Sequence, residues 1–243
     1  MQYFTDKARS LPRLLREAGY DTSAYHNFTR RFWLRDQVYP KLGFDRFASM
    51  EEMTLVIQAN DWPTDEGLYR FVLDHSGSGN PAFHFIVTVE THGPYAKGEQ
   101  DDEGHPGVGD YRARLGSATQ SLAQFKRGLD ARGRPYVLVV FGDHLPGLRL
   151  HQWKNGMKSE ADPRLHRVPL LVASNVRDAS ALTQAMAGRP LYCLPPLLIG
   201  QAGKPMEDRY FNYLGKACRD EASPAVRPAE AVIQNQLFSA APL

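Results

Sequence analysis

Two stretches decide the fold: AFHFIVTVE at Ala82–Glu90 and YVLVVF at Tyr136–Phe141. Both are almost continuously apolar and rich in β-branched and aromatic residues. A strand covered on both faces of a parallel sheet requires such a run, whereas a strand with one wet face alternates polar and apolar residues. The two stretches therefore predict buried strands of an α/β protein.

The segment between these strands completes a βαβ unit. It consists of a Gly- and Asp-rich loop at 93–110 and a helical pattern at about 111–130. A βαβ crossover is right-handed in nearly all proteins. Another apolar run at Val168–Ala173 predicts a further strand. Together these elements predict a three-layer α/β/α sandwich with a mostly parallel sheet.

The other predicted elements are mainly helices bounded by capping and breaking residues. Residues 6–18 have helical spacing, with Ser10 as the N-cap if the helix starts near it, and a strand is predicted at Asp21–His26. Further helices are predicted within 30–41 up to Pro40, at Asp65–His75 and at about Pro195–Gln201. From Arg219 onward no hydrophobic periodicity is visible. This predicts one unit in residues 1–218 and a poorly ordered tail at 219–243.

The composition excludes several classes of protein. The 243 residues include 29 Lys+Arg and 27 Asp+Glu, a net charge of +2, so the strongly basic footprint of a general nucleic-acid binder is absent. With 42% hydrophobic and 11% aromatic residues, the chain is too apolar to be disordered. No apolar run is long enough to span a bilayer, and Met1–Ser10 is no signal peptide.

The chain contains only two cysteines, Cys193 and Cys218. They are too few for a disulfide scaffold and do not have the spacing of a metal site. One bridge between them is compatible with the sequence. The sequence favours the interpretation that the two thiols are unrelated.

Polar residues follow both deciding strands, where the chemistry of such sheets gathers. Asp143 and His144 follow the second strand, and they can converge on one divalent cation if the backbone turns at Gly142. Alternatively, Asp143 caps a turn and His144 is only a polar side chain in contact with solvent. His92 follows the first strand, and a lone loop histidine is often only solvated. His105, His151 and Lys154 are weaker candidates.

The segment FWLR at residues 32–35 offers another possible site. Arg35 could bind an anionic group through its planar guanidinium, with Trp33 stacking beside it. Helical periodicity alone favours a different reading, with Phe32 and Trp33 in the core and Arg35 in solvent.

Four ordered blocks resemble the sulfatase-like branch of the alkaline phosphatase superfamily, and within it the lipoteichoic acid synthase and phosphoglycerol transferase group. The blocks are LPRLLREAGYDTSAYH at 11–26, FWLRDQVYPKLGFDRF at 32–47, FIVTVETHGPY at 85–95 and VLVVFGDHLP at 137–146. RVPLL at 167–171 follows them in order. One Gly-Asp-His motif would be weak, but four blocks in order are specific to this group.

The resemblance implies roles for the matching residues. Asp143 and His144 resemble two ligands of a divalent metal, manganese or alternatively magnesium or zinc. His92 resembles a histidine that binds the phosphoryl group or protonates the leaving oxygen. Trp33 and Arg35 resemble contacts to a phosphoglycerol head group, and His151 resembles a second histidine near the metal. The implied mechanism passes a phosphoryl group through a metal-activated threonine.

The family's nucleophilic threonine and its first acidic metal ligand precede the block that begins here at Leu11. Only ten residues come before that block, and Thr5 has no strand-to-helix context. We therefore expect an alkaline-phosphatase-like domain that lacks its N-terminal strand or strands. An upstream-encoded segment would complete it, and the unpaired edges left behind would invite association.

The resemblance implies a metal-dependent phosphoglycerol-type transferase or phosphoric ester hydrolase at the extracytoplasmic or periplasmic face of the cell membrane. Its partners would be an anionic phospholipid head group or a glycan acceptor, with no nucleic acid. One alternative is a non-catalytic remnant or subunit that binds an anionic glycan, lipid head group or partner chain. Another is a sulfuric ester hydrolase, although the usual cysteine- or serine-containing motif is not visible.

Overall fold

The computed structural model describes residues 9–58, 62–77, 79–149, 162–201 and 208–219. Its helices are α1 (Leu11–Glu17), α2 (Arg35–Leu42), α3 (Asp65–His75), α4 (Val108–Ala131), α5 (Ser180–Met186), α6 (Leu194–Gln201) and α7 (Arg209–Arg219). Its strands are β1 (Asp21–His26), β2 (Arg46–Ala48), β3 (Ala82–Val87), β4 (Val137–Phe141) and β5 (Leu170–Ser174). None of the described helices has the length and apolarity needed to cross a bilayer.

The first sheet is parallel, with strand order β2-β1-β3. Strand β1 runs in register with β3 over six residues, from Asp21 opposite Ala82 to His26 opposite Val87. As the middle strand, β1 is the most thoroughly covered: Ala24, Tyr25 and His26 are each at most 2% exposed. The predicted α/β class with a parallel sheet is confirmed.

A second ladder joins β4 and β5, which run antiparallel from Val137 opposite Ser174 to Phe141 opposite Leu170. The predicted β3-α4-β4 succession is present, but β3 and β4 belong to separate ladders among the described residues. No residue of β3 or β4 is fully buried. The expectation that these strands are fully buried is therefore wrong: within the described part of the chain each pairs along one edge only, and its side chains are covered only in part.

Helices cover both faces of the strands. Tyr25 of β1 packs with Leu68, Val72 and Phe125 from α3 and α4, and Leu138 of β4 packs against the same cluster. The neighbouring Ala24 faces the opposite side and packs with Tyr39 and Phe44. Since successive side chains of a strand point to opposite faces, these clusters define the outer layers of the sandwich.

Local signals explain several element boundaries. Ser10 caps α1, because its side chain accepts a hydrogen bond from the backbone N–H of Arg13. Helix α2 ends at Leu42 and is capped by Gly43, whose φ of +93° is readily available to glycine. Because Pro40 lies inside α2, the predicted stop at that proline is wrong.

Strand β3 ends at Val87, three residues earlier than predicted, because its partner β1 ends at His26. The next backbone donors leave the ladder: the N–H groups of Val89 and Glu90 both donate to the carboxylate of Asp65 at 3.3 Å. The buried carboxylate thus satisfies the backbone that the sheet no longer can.

The C-terminal region is cross-linked. Cys193 and Cys218 form a disulfide that joins the 3-10 turn Leu191–Cys193 to α7. The interpretation of two unrelated thiols is wrong, because packing of α7 on α6 brings two cysteines that are 25 residues apart into contact. Helix α7 itself was not predicted. The predicted tail, apart from Arg219, lies outside the described residues, and the boundary at 218 stays a prediction.

We expect Leu68→Ala to lower the free energy of unfolding by about 2–5 kcal/mol, because Leu68 is fully buried between sheet and helices. The matched control is Leu115→Ala, also in a helix but with a side chain 44% exposed, which should cost less than about 0.5 kcal/mol. Urea unfolding measures both. Equal losses for the two variants would contradict this description of the core.

Candidate functional site

The candidate site is a cavity of about 850 Å³ between the segments that follow β3 and β4. His92 lines it from the first segment, and Asp143 and His144 line it from the second. The structure thus brings three of the predicted site residues to one cavity. The remaining lining residues include Thr88, Thr91, Tyr95, Lys97, Tyr111 and Arg149.

The imidazole of His92 is held in one orientation. Its Nδ1 lies 2.6 Å from the carbonyl oxygen of Gly93, and since a carbonyl can only accept, Nδ1 carries the proton. The indole of Trp62 packs against the ring with centroids 4.7 Å apart. In the neutral ring, Nε2 is then a lone-pair acceptor. After protonation, Nε2 is a donor.

Asp143 and His144 converge at the mouth of the cavity. The Asp143 Oδ2 and His144 Nε2 atoms are 3.7 Å apart, and the side chains are 84% and 67% exposed. His144 Nδ1 donates to the carbonyl of Leu145 at 2.8 Å, which leaves Nε2 as the ligand atom. Two atoms that each lie about 2.1 Å from one ion are about 3–4 Å apart. This pair therefore fits a divalent cation.

Gly142 contributes differently from expectation. Its φ lies outside the left-handed region, so the turn before Asp143 does not depend on glycine's conformational freedom. Its N–H donates to the carbonyl of Pro169 at 3.2 Å. A Cβ at this position would lie 3.4 Å from the side chains of Val168 and Pro169, an ordinary van der Waals distance, so packing does not require glycine here either.

Trp33 lies on the surface, not in the core. Both Trp33 and Leu34 have left-handed backbones, with φ of 56° and 53°, and the Trp33 side chain is 77% exposed. The helical pattern over 30–41 is broken at this point, and the core position predicted from periodicity is wrong. A left-handed pair of non-glycine residues is strained and needs support from its surroundings.

Arg35 supplies part of that support. Its Nε donates to the hydroxyl of Tyr39 at 3.2 Å and its Nη1 to the carbonyl of Phe32 at 3.3 Å. The guanidinium carbon lies 5.4 Å from the centre of the Phe32 ring. Arg35 is half-buried, so the solvated position that periodicity predicted is also wrong.

A chain of aromatic contacts connects this segment to His92. Phe32 packs against Trp33 and Phe28, Phe28 packs against Trp62, and Trp62 packs against His92. Neither Trp33 nor Arg35 lines the cavity. They adjoin the site through this aromatic cluster of Phe28, Phe32, Trp33 and Trp62.

Sequence reasoning missed His26. His26 is the last residue of β1, at the same end of the sheet at which His92 follows β3. Its Nδ1 donates to the carbonyl of Val87 at 3.0 Å. Its Nε2 is buried with no hydrogen-bond partner in the described part of the chain. Burial lowers the pKa of His26 to about 4. The parallel pairing of β1 with β3 was the signal that could have revealed it.

A buried polar cluster of Asn27, Asp65 and Glu90 lies beside the same strand ends. Asn27 Nδ2 donates to Asp65 Oδ1 at 2.8 Å, and the Asp65 N–H donates to Glu90 Oε2 at 2.8 Å. Burial, together with the nearby Glu90, raises the pKa of Asp65 to about 6. These carboxylates tie the N-terminus of α3 to the segment that leads to His92.

Among the described residues, one group of three metal-ligand types has ligand atoms within 4.8 Å of one another: Asp101, Glu103 and His105. Asp101 accepts from the N–H of His105 and from its Nδ1, both at 2.9 Å. The carboxylate thus organises its own loop. The other candidates, His151 and Lys154, lie outside the described residues.

The fold and this strand-end cavity define an α/β domain of the alkaline phosphatase type. A structure described as a protein in the alkaline phosphatase superfamily from Vibrio parahaemolyticus aligns with a TM-score of 0.53 at 16% identity, over 71% of this chain and 43% of that one. The chain belongs to the sulfatase family, whose model matches residues 2–188. The resemblance predicted from the four blocks is confirmed.

Curated relatives match only over part of their length. A candidate cyclic beta-1,2-glucan modification protein of Rhizobium meliloti is 30% identical over 72% of this chain and 31% of its own length. A lipoteichoic acid synthase of Staphylococcus saprophyticus is 27% identical over 56% of this chain and 23% of its own. The chain therefore spans about a quarter to a third of these relatives.

A solved structure supports the same fold. The phosphoglycerol transferase GacH of Streptococcus pyogenes, in complex with sn-glycerol-1-phosphate, aligns with a TM-score of 0.62 at 17% identity. The alignment covers 89% of this chain and 60% of GacH. At this identity the likeness establishes the fold alone.

We expect Asp65 and His26 to affect stability with opposite dependence on pH. Between about pH 4 and 6 the folded state keeps the Asp65 proton that the unfolded chain releases, so this group's contribution falls as the pH rises. Over nearly the same range the unfolded chain protonates His26 and the folded state does not, so that contribution rises with pH.

The test is urea unfolding at several pH values across that range. Wild type should lose stability relative to Asp65→Asn as the pH rises, by roughly 1–3 kcal/mol. It should gain stability relative to His26→Gln by a similar amount. If both variants follow the wild-type curve in parallel, neither group titrates as described.

Proposed function

We propose that this chain is part of a divalent-metal-dependent phosphoryl transferase or phosphoric ester hydrolase that acts on phosphoglycerol-type groups. One observation carries the proposal: in a chain of the sulfatase family, His92 and the Asp143–His144 pair line the same cavity. An imidazole and a cation bound by the pair could then act on one phosphate ester.

In this proposal Asp143 Oδ2 and His144 Nε2 hold the cation, manganese or alternatively magnesium or zinc. The bound cation would polarise the phosphoryl oxygens and neutralise their developing charge. The bond between His144 Nδ1 and the Leu145 carbonyl keeps Nε2 directed away from the backbone. Asp143 Oδ1 accepts the N–H of His144 at 2.9 Å, which leaves Oδ2 for the metal.

His92 binds the phosphoryl group or protonates the leaving oxygen. With Nδ1 engaged by Gly93, only Nε2 can donate or accept at the cavity. The protonated ring offers an Nε2–H to a leaving oxygen, and the neutral ring accepts a proton from an incoming hydroxyl. Trp33 and Arg35 would contact the head group, and we keep His151 as a proposed further contact.

We also propose that a segment outside these 243 residues completes the site with an acidic ligand and the nucleophilic threonine. Support comes from the described strands: β3 and β4 each have one edge without a ladder partner, and their apolar residues are only half-buried. A strand added at either edge would pair with its unpaired backbone groups. Without that segment, residues 1–218 would be a partial catalytic domain.

The proposed location is the extracytoplasmic or periplasmic face of the cell membrane. The Cys193–Cys218 disulfide supports it, since such bonds persist in oxidising compartments. The proposed partners are an anionic phospholipid head group as donor and a glycan as acceptor. Two relatives support these classes by name, one in glucan modification and one in lipoteichoic acid synthesis.

The metal part of the proposal can be tested on the chain itself. We expect manganese to bind with a dissociation constant of about 10⁻⁴ to 10⁻³ M, because the exposed pair supplies two ligands. Asp143→Ala should weaken binding at least about tenfold, since it removes the only carboxylate of the pair. The EPR signal of free Mn²⁺ during a titration measures both.

The control variant is Asp101→Asn, which alters the other group of metal-ligand types. It should bind manganese as wild type does. If Asp101→Asn abolishes binding while Asp143→Ala does not, the ion occupies the loop of Asp101 and the assignment is wrong. Absence of binding by wild type up to millimolar manganese would also contradict the proposal.

Head-group recognition can be tested with sn-glycerol-1-phosphate as the probe. Arg35→Lys should weaken its binding about tenfold, because a lysine cannot present a planar fork to a phosphate. Arg70→Lys is the control, since Arg70 is an exposed arginine on α3 that pairs with Glu66. Isothermal titration with and without manganese measures both, and equal affinities for the two variants would remove Arg35 from the site.

The same titrations distinguish the catalytic role from the alternative of a non-catalytic binding subunit. The exposed pair of ligands favours this alternative for the chain on its own, since two ligands form a weak metal site. Glycerol phosphate binding that is independent of manganese, without turnover of phosphodiesters or sulfate esters by any mixture with the missing segment, would favour a binding role over catalysis.

A further inference from the structure

Arg114 places a buried positive charge beside the segment that contains His92. It belongs to α4, yet its side chain is only 5% exposed. A buried guanidinium is costly unless its donors are paired with good geometry. The groups that pair with Arg114 therefore indicate what it does.

Two of those groups are backbone carbonyls of the segment that follows β3. Arg114 Nη1 donates to the carbonyl of His92 at 2.8 Å, and Nη2 donates to the carbonyl of Pro94 at 3.2 Å. The guanidinium carbon also lies 5.4 Å from the centre of the Tyr95 ring. One side chain thus contacts three residues of this turn, two through hydrogen bonds to their carbonyls and the third through its aromatic ring.

Asp110, one helical turn earlier on α4, completes the arrangement. Arg114 Nε donates to Asp110 Oδ1 at 2.8 Å, and Nη2 also contacts Asp110 Oδ2. The same Oδ2 accepts the N–H of Ala96 at 2.8 Å. The Arg114–Asp110 pair therefore binds the backbone at residues 92, 94 and 96.

These contacts fix the residue that lies between them. Gly93 has no side chain to restrain it, but its neighbours on both sides are bound to α4. Its carbonyl is left directed at the imidazole of His92, 2.6 Å from Nδ1. The orientation of one peptide group therefore decides which nitrogen of His92 carries the proton.

We propose that Arg114 is a positioning residue for His92: by holding the 92–96 segment to α4, it keeps the Nδ1–H tautomer and leaves Nε2 facing the cavity. The functional meaning of that tautomer rests on the proposed role of His92 in phosphoryl transfer. Arginine is required because its planar fork reaches two carbonyls and a carboxylate together, which an ammonium group cannot do.

The test uses the full chain labelled with ¹⁵N in its histidines. At about pH 8, where an unperturbed histidine ring is neutral, the ¹⁵N shifts of the ring distinguish the two tautomers. Wild-type His92 should be in the Nδ1–H form, with the signal assigned by its loss in His92→Asn. Arg114→Met should convert it to a mixture of tautomers. Arg70→Met, which breaks an exposed Arg–Glu pair on α3, should leave it unchanged.

A second readout is the affinity for sn-glycerol-1-phosphate, which we expect Arg114→Met to weaken about tenfold because the imidazole is misplaced. If Arg114→Met does not fold, Arg114→Lys and Asp110→Asn provide milder changes that should shift the same tautomer ratio. Folded variants with the wild-type tautomer and affinities within twofold of wild type would overturn the positioning role.

The two proposals can fail separately. If wild type binds neither manganese nor glycerol phosphate, the proposed function fails, whereas the tautomer measurement still tests Arg114 because it needs no ligand or turnover. If the ligands bind but the tautomer is insensitive to every Arg114 and Asp110 variant, only the positioning role fails.

Discussion

The parallel pairing of β1 with β3 is the constraint on which the site depends. Because the strands are in register from Asp21 and Ala82 to His26 and Val87, they end at the same level. The residues that follow them must therefore occupy one edge of the sheet. His26 confirms this closeness by donating from Nδ1 to the carbonyl of Val87 at 3.0 Å. A shift of one residue would exchange the two faces of β1 and bury the wrong side chains.

Two buried polar groups hold the chain after β3 leaves the ladder. On the α3 side the Asp65 carboxylate accepts the N–H groups of Val89 and Glu90, and on the α4 side Arg114 donates to the carbonyls of His92 and Pro94. Asp65 thus accepts from the N–H groups in the first half of this segment, and Arg114 donates to the carbonyls in its second half. Buried backbone groups need such partners. The segment carrying His92 is consequently held by side chains from two helices.

Local patterns in the sequence predicted the strands, Asp65–His75 and the cap at Ser10, because each depends on neighbours along the chain. They could not predict Trp33 and Leu34, whose left-handed backbones interrupt a helical pattern, nor the disulfide, which depends on how α7 packs. His26, Trp62 and Arg114 were missed for the same reason: each acquires its place through contacts between distant segments. Asp143 and His144 could be proposed from the sequence because adjacency in sequence and position after a strand are both visible locally.

The two halves of the candidate site differ in their electrostatic surroundings. The loop of His92 is supported by carboxylates and a guanidinium that are almost wholly buried, where charges interact strongly. The Asp143 and His144 side chains are 84% and 67% exposed, so water screens their attraction for a cation. A chain segment placed across β3 and β4 would displace that water and add ligands. The proposed metal site would therefore gain far more from such a segment than the orientation of His92 would.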